Sequence, residues 1–318
     1  MKRRPFFLLF LLAAAGALAI AQSADPIERS VPAPLASKSL LTDVGPAGSA
    51  VVAVGDRGHI LISSDGGASW KQVNVPTRSM LTGVWFHDRN RGWAVGHDAV
   101  IVRTSDGGAT WERVHWAPED EAPLLDVLFL DPNRGIAIGA YGTFLTTADG
   151  GATWTPGAVS EEEDFHLNQI ARSASGRLYI AAEAGHAYRS DDEGATWTSI
   201  ETPYEGSFFG VLPLDGDSVL LFGLRGHLYR SDDAGATWAQ LDSGTQAMLN
   251  GGVRLADGRI VIVGLGGAVL VSQDGGRTFA LKEQERRFGF QAVAPAGAAL
   301  VLAGDNGARQ LQTALLAK

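Results

Sequence analysis

Six near-copies of one nine-residue phrase constrain this chain more than any other feature. They read SSDGGASWK from Ser63, TSDGGATWE from Thr104, TADGGATWT from Thr147, SDDEGATWT from Ser190, SDDAGATWA from Ser231 and SQDGGRTFA from Ser272. The aromatic residues that close them are Trp70, Trp111, Trp154, Trp197, Trp238 and Phe279, spaced by 41, 43, 43, 41 and 41 residues. Their aspartates are Asp65, Asp106, Asp149, Asp192, Asp233 and Asp274. So regular a period marks an architecture in which one small unit is repeated along the chain.

The apolar text before each phrase repeats too. It runs AVVAVGDRGHILIS, GWAVGHDAVIVRT, GIAIGAYGTFLTT, LYIAAEAGHAYRS, VLLFGLRGHLYRS and IVIVGLGGAVLVS, and a seventh copy, LVLAGDNGARQLQ, starts at Leu300 with no phrase behind it. Each copy holds two β-rich runs around a glycine-bearing turn. A third run lies upstream, as in LTGVWF at Leu81 and LLDVLFL at Leu124, and a fourth downstream, as in WKQVNV at Trp70. One unit is therefore four antiparallel strands, the blade of a β-propeller. Dividing residues 22–318 by seven gives about 42, so the spacing predicts an all-β propeller of seven four-stranded blades. The seventh unit lacks its outer strand. IERSVPAPLASKSLLTDV from Ile27 aligns with WKQVNVPTRSMLTGVWF from Trp70. The expectation is that Ile27–Val31 completes the last blade and closes the ring, leaving no open edge.

The phrase sits where the chain reverses between the third and fourth strands. Its aspartate can accept hydrogen bonds from the backbone of its own turn, and its glycines adopt positive φ without steric penalty. The Ser or Thr before the aromatic adds a local hydrogen bond, and the aromatic ring is expected to bury against a neighbouring blade. Calcium is the competing reading, because DDEG and DDAG are acidic. The oxygen ligands are too few and wrongly spaced for a calcium loop, so the residues read as a structural staple.

Lys2, Arg3 and Arg4, the apolar run FFLLFLLAAAGALAI and Ala19-Ile20-Ala21 together read as a secretory signal over residues 1–21. Residues 22–318 are expected to form one domain, exported to the periplasm, or to a thylakoid lumen in a phototroph. The 318-residue chain has no cysteine, so neither disulfides nor a lipid-bearing thiol are available to it. Its net charge of −9 becomes −12 once the three cations of the leader leave, which argues against a nucleic-acid partner.

The phrases are Asp-boxes, also called BNR repeats. The longer units GWAVGHDAVIVRTSDGGATW from Gly92 and VGDRGHILISSDGGASW from Val54 resemble the repeat of the photosystem II stability/assembly factor family over about residues 27–316. The resemblance implies an exported, non-catalytic, monomeric helper without cofactor or metal. It would bind subunits of a membrane protein complex during assembly. Related propellers in bacteria without photosynthesis suggest a second context, as a periplasmic accessory of an RND-type exporter or another envelope complex. The chain departs from the pattern at Phe279, which replaces a tryptophan, and in its box-free seventh blade. The family carries an arginine-rich patch. Here Arg286 and Arg287 are adjacent, while Arg57, Arg78 and Arg225 fall in separate loops.

Asp-boxes also occur in sialidases. A sialidase needs an arginine triad, a Tyr–Glu nucleophile pair and an RIP motif, and this chain has ERSVPAP with no such motif. Tyr188 and Tyr229 share a YRSD position and read as repeat structure. Other glycosidases need two facing carboxylates, which nothing in the sequence pairs. Binding residues are expected instead on the face opposite the boxes, where loops vary on a rigid scaffold. Candidates there are Arg57, Arg78, Tyr141, Tyr204, Arg225, Arg286, Arg287 and Phe288. The acidic connections PEDEAP and SEEEDFH suit a basic partner surface. His59, His186 and His227 share a repeat position but lie a blade or more apart, which fails the geometry of a metal site.

Overall fold

The computed structural model describes residues 27–282, 284 and 286–317; the leader read over residues 1–21 lies outside them. Seven antiparallel sheets follow one another along the chain, each built from consecutive strands. Blade one is Leu41–Ala47, Ala50–Gly55, Ile60–Ser63 and Lys71–Val73, and blade two begins with Leu81–Phe86. Blades three to six start at Leu124, Leu167, Phe208 and Leu249, and blade seven consists of Phe290–Ala296, Ala299–Gly304 and Gly307–Gln312.

The second strand of each blade explains why the sheets stand side by side. AVVAVG, GWAVG and IVIVG are buried at nearly every position, not at alternate ones. A strand apolar on both faces needs cover on both. The radial arrangement supplies it from the two neighbouring blades. The buried apolar residues accordingly form clusters that each span two adjacent blades. Val54, Ile60 and Val73 of blade one meet Val84, Ala94 and Trp111 of blade two. Leu128 and Ile138 of blade three meet Ile170 and Ile180 of blade four. The core is thus a ring of interfaces around a central axis.

The ring closes differently from the sequence expectation. Blade seven has three strands, and Ile27–Val31 does not join it. The segment runs along the outer edge of blade one, where Ser30 N–H donates to the Val75 carbonyl at 2.9 Å and Val75 N–H donates to Ser30 Oγ at 2.9 Å. Gln72 clamps the next turn, donating to Val31 C=O at 3.0 Å and accepting from Ala33 N–H at 2.8 Å. The paired bonds between Ser30 and Val75 commit the segment to the edge of blade one. Closure comes from packing instead. Leu41, Val44 and Ala53 of blade one bury against Ala292, Ala294 and Val301 of blade seven, with Ala33 and Ala36 in the same cluster.

Candidate binding face and central channel

The boxes lie on one face. Gly107 N–H donates to Asn90 C=O and Gly150 N–H to Asn133 C=O, both at 2.9 Å, so each box rests on the turn between its blade's first two strands. Inside a box, Thr104 Oγ1 donates to Asp106 Oδ1 at 2.8 Å and accepts from Gly108 N–H at 3.0 Å. Asp106 Oδ1 accepts from Thr110 N–H at 2.9 Å, and Oδ2 accepts from Thr110 Oγ1 at 2.6 Å. The same four bonds recur around Asp65, Asp149, Asp192, Asp233 and Asp274. Hydrogen bonds from the Ser69 hydroxyl and backbone hold the Asp65 carboxyl down at about 2, and Asp149, Asp192 and Asp233 are held alike. Both oxygens of each box carboxylate accept hydrogen bonds from within the turn.

The box aromatics all pack toward the preceding blade. Trp111 meets Phe86 edge-on at 6.0 Å within the blade one–two cluster, and Trp197 meets Phe144 of blade three at 5.9 Å. Trp70 and Trp111 also donate an indole N–H to Gly67 and Gly108 C=O, whereas the buried indole nitrogens of Trp154, Trp197 and Trp238 have no partner.

On the opposite face, the turn between strands two and three repeats one backbone strain. Arg57, Asp98, Tyr141, Ala184 and Arg225 all sit at φ between 53° and 58°. The left-handed region costs an L-residue about 1 kcal/mol, and recurrent strain of this kind is a recognised mark of functional loops. The corners present two arginines, an aspartate, a tyrosine and an alanine, so the five form a crown of mixed chemistry. Arg57 is exposed beside Asp56 at 3.3 Å, Arg225 is exposed, and Tyr141 is 62% exposed against the edge of His166 at 4.8 Å.

The remaining candidates are spread around this face, not gathered into one patch. Arg78 is tied to the N-terminal segment, donating to Arg29 C=O at 3.0 Å and lying 3.6 Å from Glu28. Tyr204 is half-buried, stacked on His227 at 4.1 Å and donating to Leu224 C=O at 3.2 Å. Arg286 and Arg287 are exposed, and Phe288 lies under the Arg309 guanidinium at 4.1 Å. The histidines are spoken for by neighbours: His186 stacks on Phe165 at 3.9 Å and His59 pairs with Ser39 Oγ at 3.1 Å. Among the described residues, no cluster of three His, Asp or Glu side chains could hold a metal ion.

A second region was missed by the sequence reading. The innermost strand of each blade carries a register shift at one position, which turns an extra residue toward the axis. These residues line a channel of about 330 Å³. Polar members stitch blade to blade: Thr82 Oγ1 donates to Leu124 C=O at 2.7 Å, and Asn168 and Asn250 donate to Phe208 and Phe290 C=O at 2.8 Å. Asp43 accepts from Val44 and Val84 N–H at 2.8 Å, and Asp126 accepts from Val127 and Ile170 N–H at 2.8 and 2.9 Å. Burial pushes the Asp43 carboxyl up to about 6, against the pull of those N–H groups. Burial and the charge of Asp43 push Asp126 up to about 8. The surface both carboxylates show faces a narrow channel walled by protein, so bulk water screens them poorly and the upward direction holds. Asp43 and Asp126 were visible as the odd letters in LTDV and LLDV against LTGV, but they lie outside the repeated phrase.

Fold and face together define a class: a rigid seven-bladed Asp-box propeller that displays variable loops around one rim. The chain belongs to the family of the photosynthesis system II assembly factor YCF48, whose model matches residues 62–123 and 118–263. A structure of YCF48 bound to a D1 peptide is similar at a TM-score of 0.71 and 19% identity, covering 90% of this chain and 96% of that one. YCF48 from Cyanidioschyzon merolae gives 0.70 and 18%, over 87% and 96%. The WD40 propeller domain of Doa1 gives 0.69 at only 12% identity, over 89% and 96%, so at this level likeness speaks for the fold. No curated protein matches the chain by sequence.

Proposed function

We propose that this protein is an exported, non-catalytic scaffold that holds a subunit of a membrane protein complex while the complex is assembled. The family match over residues 62–263 carries the reading. The D1 peptide held by a similar YCF48 structure supports a polypeptide of such a complex as the partner. We assign the contact to the face opposite the boxes, because its loops differ from blade to blade and loops fixed on a rigid frame keep their side chains poised for contact. Arg57, Arg225, Tyr141 and the Arg286–Phe288 connection are the contacts we assign to it. The basic n-region and apolar run near the start support export to the periplasm or a lumen.

The test is capture from detergent-solubilised membranes of the native host with the tagged chain. Recovery of photosystem subunits is the expected result, weakened by Arg57→Glu with Arg225→Glu and unaffected by Arg89→Glu on the box face. Recovery of exporter subunits instead moves the protein to the envelope-complex role. Turnover of sialosides by the purified chain, or capture of no membrane protein, overturns the proposal.

A further inference from the structure

Blade seven stops one strand early. Its last strand, Gly307–Gln312, pairs with Ala299–Gly304 on one side and with no strand on the other. The register shows which groups are free. Thr313 N–H donates to Ala298 C=O, and in an antiparallel ladder bonded and outward-facing residues alternate. Leu311 and Arg309 therefore bond inward, while Ala308, Gln310 and Gln312 turn their N–H and C=O groups outward. The Ala308 end is covered, because the Ala36–Lys38 turn lies against Gly307 and Ala33 and Ala36 share its cluster. Gln310 and Gln312 are exposed, and among the described residues no backbone bond leaves them for another segment.

A cleft of about 570 Å³ opens beside this edge. Its floor is apolar, formed by Phe290, Leu302 and Leu311, which are 2%, 2% and 8% exposed. Its rim carries Arg286 and Arg309, and among the described residues none that lines it is acidic; Glu283 and Glu285 of the same connection lie outside the described residues. A local cationic rim stands out in a chain of net charge −9. Blades one to six carry a fourth strand at this edge; blade seven has none, and Leu316 packs at 2% exposure against blade six without lining the cleft. Neither described end of the chain fills the edge: Ser30 is bonded to blade one, and Thr313–Ala317 is folded with Leu316 inside.

We propose that this edge receives an extended, acidic segment of a partner polypeptide as the fourth strand of blade seven. The proposal rests on the scaffold reading above and adds where and how one partner segment is held. Gln310 and Gln312 supply main-chain hydrogen bonds, as in strand addition to a sheet edge. An apolar side chain of the segment enters the cleft against Phe290 and Leu302, and its carboxylates meet the guanidinium groups of Arg286 and Arg309. Residues two apart in a strand share a face, as Arg309 and Leu311 do, so an apolar and an acidic side chain at alternate positions of one short segment reach both.

The test uses the full chain and a synthetic capped peptide, Thr-Phe-Thr-Glu-Thr-Asp, whose apolar and acidic side chains share one face, followed by fluorescence anisotropy and amide hydrogen exchange. Binding is expected, with exchange at Gln310 and Gln312 slowed about tenfold or more in the complex. Gln310→Pro removes one outward N–H without touching the inward ladder and is expected to weaken binding about tenfold. Methylating alternate amides of the peptide does the same with the unaltered protein, so the test survives if the proline variant misfolds. Replacing the peptide's acids by lysine abolishes binding. Affinity unchanged by amide methylation overturns the proposal, as does absence of binding. So does protection of Gln310 in the peptide-free chain through a strand-paired dimer. If membrane capture persists in Gln310→Pro, the scaffold reading stands and the edge falls; if capture fails while the peptide still binds, the reverse holds.

Discussion

Blades one and seven are neighbours with matching inner strands, yet their outer ends are built on different principles. In blade one, Ser63, Asp65 and Ser69 form a self-contained knot of hydrogen bonds that reverses the chain and starts the strand Lys71–Val73. In blade seven the same position holds Thr313–Ala317, with no carboxylate knot, and the sheet ends at three strands. Its end is held by burial of Leu316 between blades six and seven. The contrast assigns the box its task. It sets the reversal that produces an outer strand, and a blade without it keeps an unpaired edge.

The largest expected effect tests the aromatic half of that task. Trp111→Ala should lower stability by about 3–5 kcal/mol, because it empties the blade one–two interface. Leu316→Ala should cost about 2–3 kcal/mol, since a smaller side chain does the corresponding work in blade seven. Urea unfolding of both variants checks the order, and equal losses would erase the distinction. Next, Thr104→Val keeps the shape of a buried residue but strands Gly108 N–H, for an expected loss of about 1–3 kcal/mol. Gln312→Val, on the open edge of blade seven, should be near neutral.

The two sets of carboxylates predict a pH profile with two limbs. Folding lowers the box carboxyls, Asp65 and Asp149 among them, from 3.8 to about 2, so their contribution is present above 3.8 and lost as pH falls toward 2. Folding raises Asp43 to about 6 and Asp126 to about 8, so their contribution is full below 3.8 and lost as pH rises through those values. The melting temperature should therefore peak between about pH 4 and 6. Asp126→Asn should flatten the alkaline limb and leave the acid limb in place; thermal melts across pH decide. The smallest effect concerns Ala234, held at φ 60° in a box where four of the other five copies have glycine and one has Glu193. Ala234→Gly relieves that strain and should raise stability by about 0.5 kcal/mol after the entropy cost of glycine, measurable as a small rise in urea midpoint.

The period of the boxes made most of the fold legible, since each copy constrains the same turn and strand. The N-terminal segment was misassigned because alignment of IERSVPAPLAS with WKQVNVPTRSM weighs letters equally, whereas the paired bonds between Ser30 and Val75 hold it on blade one. The hydroxyl of Thr104 and its counterparts was legible as repetition but its role was not, because a residue two positions before the aspartate shows no reason to touch it until the turn is folded. Asp43 and Asp126 were hidden for another reason. They meet only when the ring closes, and a pattern that occurs in two blades of seven has no period. The candidate binding residues were legible as loops, but their scatter around the rim follows from blade angles that letters do not carry.

Amide hydrogen exchange on the full chain without partner tests the contrast between the blades most directly. The account predicts slow exchange at Gly67, Ser69, Gly108 and Thr110, whose N–H groups are held within boxes, and fast exchange at Gln310 and Gln312 on the open edge. Equal protection of the blade-seven edge and the boxed turns would contradict it.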